Sequence, residues 1–176
     1  DDQANILDAG AGNDTVYGGG GNDSITGGTG TSYLDGGSGN DTLTGGDLAD
    51  TYVVDSVADV IVETTGSTGI DAVIASVNWT LGTTLENLTL TGSASINGTG
   101  NNLDNVITGN DQFNALAGNS GNDDLFGGAG NDSLNGGSGD DYLDGGSGND
   151  TVIVEGQASV IGVWAAANRR AASMYN

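Results

Sequence analysis

The 176-residue chain has no cysteine, no proline and no histidine, and its only basic residues are two arginines. Without cysteine there can be neither disulfides nor thiolate metal sites. Without histidine, a Ser-His-Asp triad, a Cys-His pair and the His-Glu-x-x-His zinc motif cannot be assembled within the chain. Lysine chemistry is absent as well. No apolar run approaches the ~20 residues of a membrane span. No proline-rich linker separates domains, and no secretory signal peptide opens the chain at Asp1-Asp2-Gln3. Glu63, Glu86 and Glu155 stand isolated in sequence, which leaves no acid/base pair to propose.

What is present is acid and glycine. Twenty-four acidic residues give a formal net charge of -22, beside 34 glycines. A compact chain of this charge repels itself unless cations bind. The same acidity argues against nucleic acid and against anionic membrane surfaces as partners. Low aromatic content with much Gly, Asn, Asp, Ser and Thr would ordinarily read as disorder. A strict nine-residue period with an apolar eighth position argues otherwise, because disorder needs no period.

The period is Gly-Gly-x-Gly-x-Asp-x-U-x, with U a large aliphatic residue. It runs from Ala9 to Val53 and again from about Gly100 to Ile153. Residues 18–26, 36–44, 127–135 and 145–153 are the cleanest copies. A chain reversal in about six residues needs positive φ at several positions, which glycine adopts cheaply. Glycine also leaves backbone carbonyls bare. Bare carbonyls beside a carboxylate suit a hard cation such as calcium, which takes six to eight oxygens. The sixth position supplies Asp14, Asp23, Asp41, Asp50, Asp123, Asp132, Asp141 and Asp150. The x-U-x triplet makes a very short strand with U on one face. The U residues are Val16, Ile25, Leu34, Leu43 and Tyr52, then Ile107, Leu116, Leu125, Leu134, Leu143 and Val152. The Gly-x-Gly elements are not phosphate loops: no lysine follows them and the loop aspartate would repel phosphate.

These repeats resemble the calcium-binding nonapeptides of the RTX (repeats-in-toxin) family. The resemblance implies an all-β, right-handed parallel β-roll or β-solenoid in which two nonapeptides make one coil. Each calcium ion would lie between a loop and the loop two repeats later. By position this pairs Asp23 with Asp41, Asp123 with Asp141 and Asp132 with Asp150. The loop carbonyls of Gly19, Gly21, Gly37, Gly39, Gly128, Gly130, Gly137, Gly139, Gly146 and Gly148 would complete the shells of several ions. It also implies one-step export from a Gram-negative cell and an extracellular or cell-surface location.

Some repeats depart from the pattern. Ser32 stands in an aspartate slot and weakens the sites that would share it with Asp14 and Asp50. Leu48 replaces a turn glycine, so loop 45–50 is expected to be distorted. Asn105 and Asn114 stand in the aspartate slots of 100–108 and 109–117, which are expected to form coils and bind metal poorly. The chain is therefore expected to comprise a first roll block (1–53), bridging solenoid coils (54–99), a second roll block (100–156) and a cap or docking segment (157–176). In the bridge, Val60–Glu63, Ala72–Ala75 and Leu88–Thr91 read as strands, with Trp79 as a core anchor. In the tail, Trp164, Ala167, Ala171 and Met174 fall on one helical stripe. A strand from Val160 to Trp164 competes with that helix.

Two functional classes remain. The first is a calcium-folded structural or adhesive module of a secreted surface, matrix or filament protein, without enzymatic activity of its own. The second is the calcium-dependent export domain of a secreted enzyme whose catalytic part lies elsewhere. Besides calcium, the expected partner is another copy stacked end to end, or a neighbouring domain of the same polypeptide, since the end of a roll exposes unpaired edges.

Overall fold

A computed structural model describes residues 1–63 and 68–153, and the backbone of two short strands at 160–162 and 170–172. The described elements are all strands, and the described strand pairs are parallel. They group into two compact units, Asp1–Val77 and Asn78–Asn176.

The first unit holds β1 (Ile6–Asp8), β2 (Thr15–Gly20), β3 (Ser24–Gly28), β4 (Tyr33–Ser38), β5 (Thr42–Gly46), β6 (Thr51–Val54), β7 (Val60–Val62) and β8 (Ala72–Ala75). Odd strands stack β1-β3-β5-β7 and even strands β2-β4-β6-β8, so each coil contributes one strand to each of two sheets. This is the two-repeats-per-coil solenoid that the family resemblance implies. Register puts U over U: Leu7, Ile25, Leu43 and Ile61 in one sheet, and Val16, Leu34, Tyr52 and Val73 in the other.

The second unit holds β9 (Trp79–Thr80), β10 (Asn87–Leu90), β11 (Gly98–Thr99), β12 (Val106–Thr108), β13 (Ala115–Ser120), β14 (Asp124–Phe126), β15 (Ser133–Ser138), β16 (Tyr142–Asp144), β17 (Thr151–Ile153), β18 (Val160–Gly162) and β19 (Arg170–Ala172). Here Leu88, Ile107, Leu125 and Leu143 form one ladder, and Trp79, Gly98, Leu116, Leu134 and Val152 the other. Trp79 is half-buried over Gly98. A Cβ at Gly98 would sit 3.0 Å from Leu88 Cδ2, so the space at that place in the ladder is tight.

Ile25, Leu34, Leu43, Tyr52, Ile107, Leu125, Leu134 and Leu143 are fully buried, whereas Val16 and Val152, nearer the ends of the ladders, are only half-buried. The core is thus one side chain deep. Residue spacing between stacked loops is 18 within the repeats, 21 between Asp50 and Asp71, and 19 between Asn78 and Asn97. The bridging segment therefore forms slightly wider coils whose strands pair in register with roll strands of their own unit: β7 with β5, β8 with β6, β9 with β11, β10 with β12.

In the tail, β18 pairs with β16 and β19 with β17. This corrects the helical reading at Ala171, which lies in β19. The last roll strands present unpaired N–H and C=O groups that template a further strand, and the Val160 strand alternative accords with β18. The other members of the expected stripe, Trp164, Ala167 and Met174, lie outside the described residues.

Candidate metal centres

Each loop begins with the turn that the glycines permit. All ten glycines expected around the ions have positive φ, including Gly19 (105°), Gly21 (106°), Gly137 (94°) and Gly139 (135°). At the second position of repeat 118–126 stands Asn119 with φ 79°, asparagine being a residue that visits this region through local hydrogen bonding. A Cβ at Gly37 would collide with the Gly19 carbonyl oxygen, and one at Gly139 with that of Gly121. At these positions successive loops are thus in backbone-to-backbone contact, and a side chain at Gly37 or Gly139 would have to push them apart.

The aspartates use their two oxygens differently. Oδ1 accepts the backbone N–H of the residue in the same slot one coil earlier: Asp41 from Asp23 (2.7 Å), Asp141 from Asp123 (3.0 Å) and Asp150 from Asp132 (2.9 Å). The three expected aspartate pairs are thereby brought together. Oδ2 is left over. In Asp14, Asp23, Asp41, Asp50, Asp123, Asp132 and Asp141 it is buried and takes part in no hydrogen bond. It points to a definite place: a Cβ at Gly18 would meet Asp23 Oδ2 and lie 2.6 Å from the Gly36 carbonyl oxygen. At Gly127 the corresponding neighbours are Asp132 Oδ2 at 2.7 Å and the Gly145 oxygen at 2.6 Å. A carboxylate oxygen of one loop and the first-position carbonyl of the loop a coil later therefore converge. Those first-position glycines were not among the residues expected from sequence.

Burial of charge without a countercharge shows in the electrostatics. Desolvation raises the carboxyl pKa of Asp123 to about 6, opposed by the Asn105 N–H and reinforced by Asp141, Asp104 and Asp124. Desolvation likewise raises Asp132 to about 6, opposed by the Asn114 N–H and reinforced by Asp150. Burial also raises Asp41, against the Asp23 N–H and with help from Asp59 and Asp23.

The substituted slots behave differently. Ser32 keeps a buried hydroxyl that makes no hydrogen bond, and its N–H donates to Asp50 Oδ1 at 2.6 Å. Asn105 and Asn114 turn an amide where aspartate turns a carboxylate oxygen. Asn114 Nδ2 donates to the Ile96 carbonyl (2.6 Å), and Asn105 Nδ2 to the Glu86 carbonyl (3.1 Å). Asn101 and Asn110 do the same to Gly82 and Leu85, and to Thr91, Gly92 and Ala94. An uncharged N–H donor thus meets carbonyls that would otherwise need a cation.

Two aspartates that make the same backbone bond escaped the motif. Asp59 Oδ1 accepts the Asp41 N–H (2.9 Å) and Asp71 Oδ1 accepts the Asp50 N–H (2.7 Å). The signal was available. Asp59 lies nine residues after Asp50 and opens an Asp-x-U-x stretch without preceding glycines, and Asp71 opens another with Gly66 and Gly69 at the first and fourth positions of its register.

A family model described as the RTX calcium-binding nonapeptide repeat, four copies, matches residues 1–34, 17–52, 26–61, 99–134 and 117–152. These matches span more than half the chain. The protein belongs to the RTX repeat family. No curated protein matches it. RTX repeats bind Ca2+, are typical of bacterial proteins secreted by type I systems, and so imply an extracellular protein. The RTX roll is a structural calcium-binding module rather than a catalytic one. Among the described residues no helix is long and apolar enough to cross a membrane.

The donor set suits the ion. Buried Oδ2 atoms without hydrogen-bond donors, adjacent carbonyls and a chain without lysine or histidine leave a hard oxygen environment that favours a divalent cation. Asp23 with Asp41, Asp123 with Asp141, and Asp132 with Asp150, with loop carbonyls, would hold it. Bound calcium supplies the positive charge that the buried carboxylates otherwise lack.

Proposed function

We propose that this RTX chain is a calcium-folded structural or adhesive module of a secreted bacterial surface, matrix or filament protein, with no catalytic role of its own. The observation that carries this reading is the column of buried aspartate Oδ2 atoms without hydrogen-bond donors, repeated coil after coil. Such groups are costly to bury, and calcium turns that cost into a condition for folding. A ligand that binds only the folded state adds about 2.7 kcal/mol per site at a hundredfold excess over Kd. Extracellular calcium modules have Kd of roughly 10⁻⁴–10⁻³ M. The chain is then unfolded at cytosolic calcium levels and folds outside the cell, where a stiff solenoid serves as a spacer or a stacking unit.

Far-UV circular dichroism in chelator and in millimolar calcium tests the folding claim. A β spectrum of equal strength in chelator sinks it. Size-exclusion chromatography and negative-stain microscopy in calcium test the assembly claim. Particles that stay monomeric at every concentration remove the filament reading and leave the spacer reading.

A further inference from the structure

Among the described residues of the first unit, the loop of repeat 45–53 gathers a carboxylate that the nonapeptide does not supply. Repeat 45–53 carries Leu48 at its fourth position, and neither Gly46 nor Leu48 has positive φ, unlike Gly28 with Gly30 and Gly37 with Gly39 in the preceding repeats. This loop follows a different path, and the next coil takes 21 residues before Asp71 accepts the Asp50 N–H. Glu63, directly after β7, enters the same place. One oxygen each of Asp50, Glu63 and Asp71 lie within 4.8 Å of one another. Asp50 and Asp71 are 1% and 0% exposed.

A second observation points into this cluster. Tyr52 is fully buried, and its hydroxyl takes part in no hydrogen bond. Asp50 Oδ2 is buried and unpartnered as well. A Cβ at Gly45 would run into the Tyr52 hydroxyl and Asp50 Oδ2, and would lie 2.6 Å from Glu63 Oε1. Three oxygens from β6, its leading loop and the end of β7 therefore surround one point. Like charges so close and so dry repel strongly at low dielectric. Desolvation raises the pKa of both Asp50 and Asp71, and the sequence offers no lysine or histidine to neutralise them.

We propose that Glu63 and the Tyr52 hydroxyl join Asp50 and Asp71 in binding one calcium ion, so that this loop of the repeat series holds its ion with a third carboxylate that the motif does not supply. Three carboxylates and a phenolic oxygen form a hard donor set, and calcium accepts such irregular sets where magnesium demands an octahedron. Three charges exceed the two of each repeat pair, and affinity in calcium sites rises with ligand charge. This site is therefore the tightest in the first unit, and it fastens β7 and the start of β8 to β6.

The test is calcium equilibrium dialysis on the full chain, with Glu63→Gln, Asp71→Asn and, as a control in the other unit, Asp132→Asn. The parent should show a tight class of one ion. Glu63→Gln and Asp71→Asn should each weaken that class at least tenfold, and Asp132→Asn should leave it intact. Terbium added in place of calcium should give tyrosine-sensitised luminescence that drops in Tyr52→Phe. If Glu63→Gln keeps the parent's ion count and affinities, the proposal is overturned, and the cluster merely shares protons. Should Glu63→Gln fail to fold in calcium, Glu63→Asp decides by the same titration. It keeps the charge and shortens the reach, so an unchanged tight class overturns the site. If the other repeat loops bound nothing, one ion sensitive to Glu63 would remain, so the two failures are distinguishable.

Discussion

Asn105 and Asp123 hold the same repeat position one coil apart and use it in opposite ways. The asparagine donates to carbonyls, while the aspartate leaves a buried oxygen for a cation. Asn114→Asp should therefore remove the donor to the Ile96 carbonyl and destabilise the calcium-free protein by about 1–3 kcal/mol. Millimolar calcium should restore part of the loss. Urea titrations with and without chelator measure both, and an unchanged midpoint in chelator would show that the amide does not hold the coil. Protons should compete with calcium at the aspartates. Asp123 and Asp132 have folded pKa values raised from 3.8 to about 6. For carboxylates raised in this way, their contribution to the calcium-free fold is fully present below about pH 3.8 and is lost as pH rises through about 6. In chelator, β structure should grow on acidification across that window. In calcium, apparent affinity should fall over the same window. Calcium titrations at pH 7.5 and 5 that gave equal affinities would contradict it.

The coil is the unit of stability at the next scale, and its strength comes from two sources, the inward ladder and whatever neutralises the loop. Leu134 is fully buried and sits in register with Leu116 and Val152. Leu134→Ala should cost about 2–5 kcal/mol in calcium, and Val152→Ala less, because Val152 is already half-exposed. Equal losses in denaturant melts would mean that the ladder is not the core. On the proposed reading, coils neutralised by asparagine need no ion, whereas those at Asp123, Asp132 and Asp141 do. In chelator, hydrogen exchange should leave amides of residues 97–117 more protected than those of 123–150. A uniform loss of protection would show that the amide-bonded coils cannot stand without their neighbours.

For the whole molecule, charge sets the terms. A net charge of -22 on 176 residues disfavours any compact state. Sodium chloride at about 0.15 M shortens the Debye length to about 8 Å and weakens repulsion between exposed groups. It offers nothing to a buried Oδ2. Salt without calcium should therefore fail to give the β spectrum that millimolar calcium gives. Circular dichroism across a sodium chloride series checks this, and full folding by sodium alone would show that screening, not coordination, controls the fold.

The sequence by itself determined the period, and with it the coil, the inward ladder and the aspartate slots. This holds because in a solenoid the contacts of residue i are with i plus a constant, so a one-dimensional pattern is already a contact map. Together with the two-repeats-per-coil arrangement that the resemblance implied, it was enough to pair Asp123 with Asp141 and to place every U residue of both blocks in a ladder. Where the constant changes, legibility ends. Asp71 reaches Asp50 only because one coil is 21 residues long, and the meeting of Glu63, isolated in sequence, with both is seen only in the structure. Which oxygen of each aspartate is spent on a backbone amide, and which first-position carbonyl faces the other, is likewise a matter of backbone path. The tail's turn from an expected helical stripe to a strand at Arg170–Ala172 has the same cause. An unpaired sheet edge is created by the preceding coils, and no local propensity encodes it.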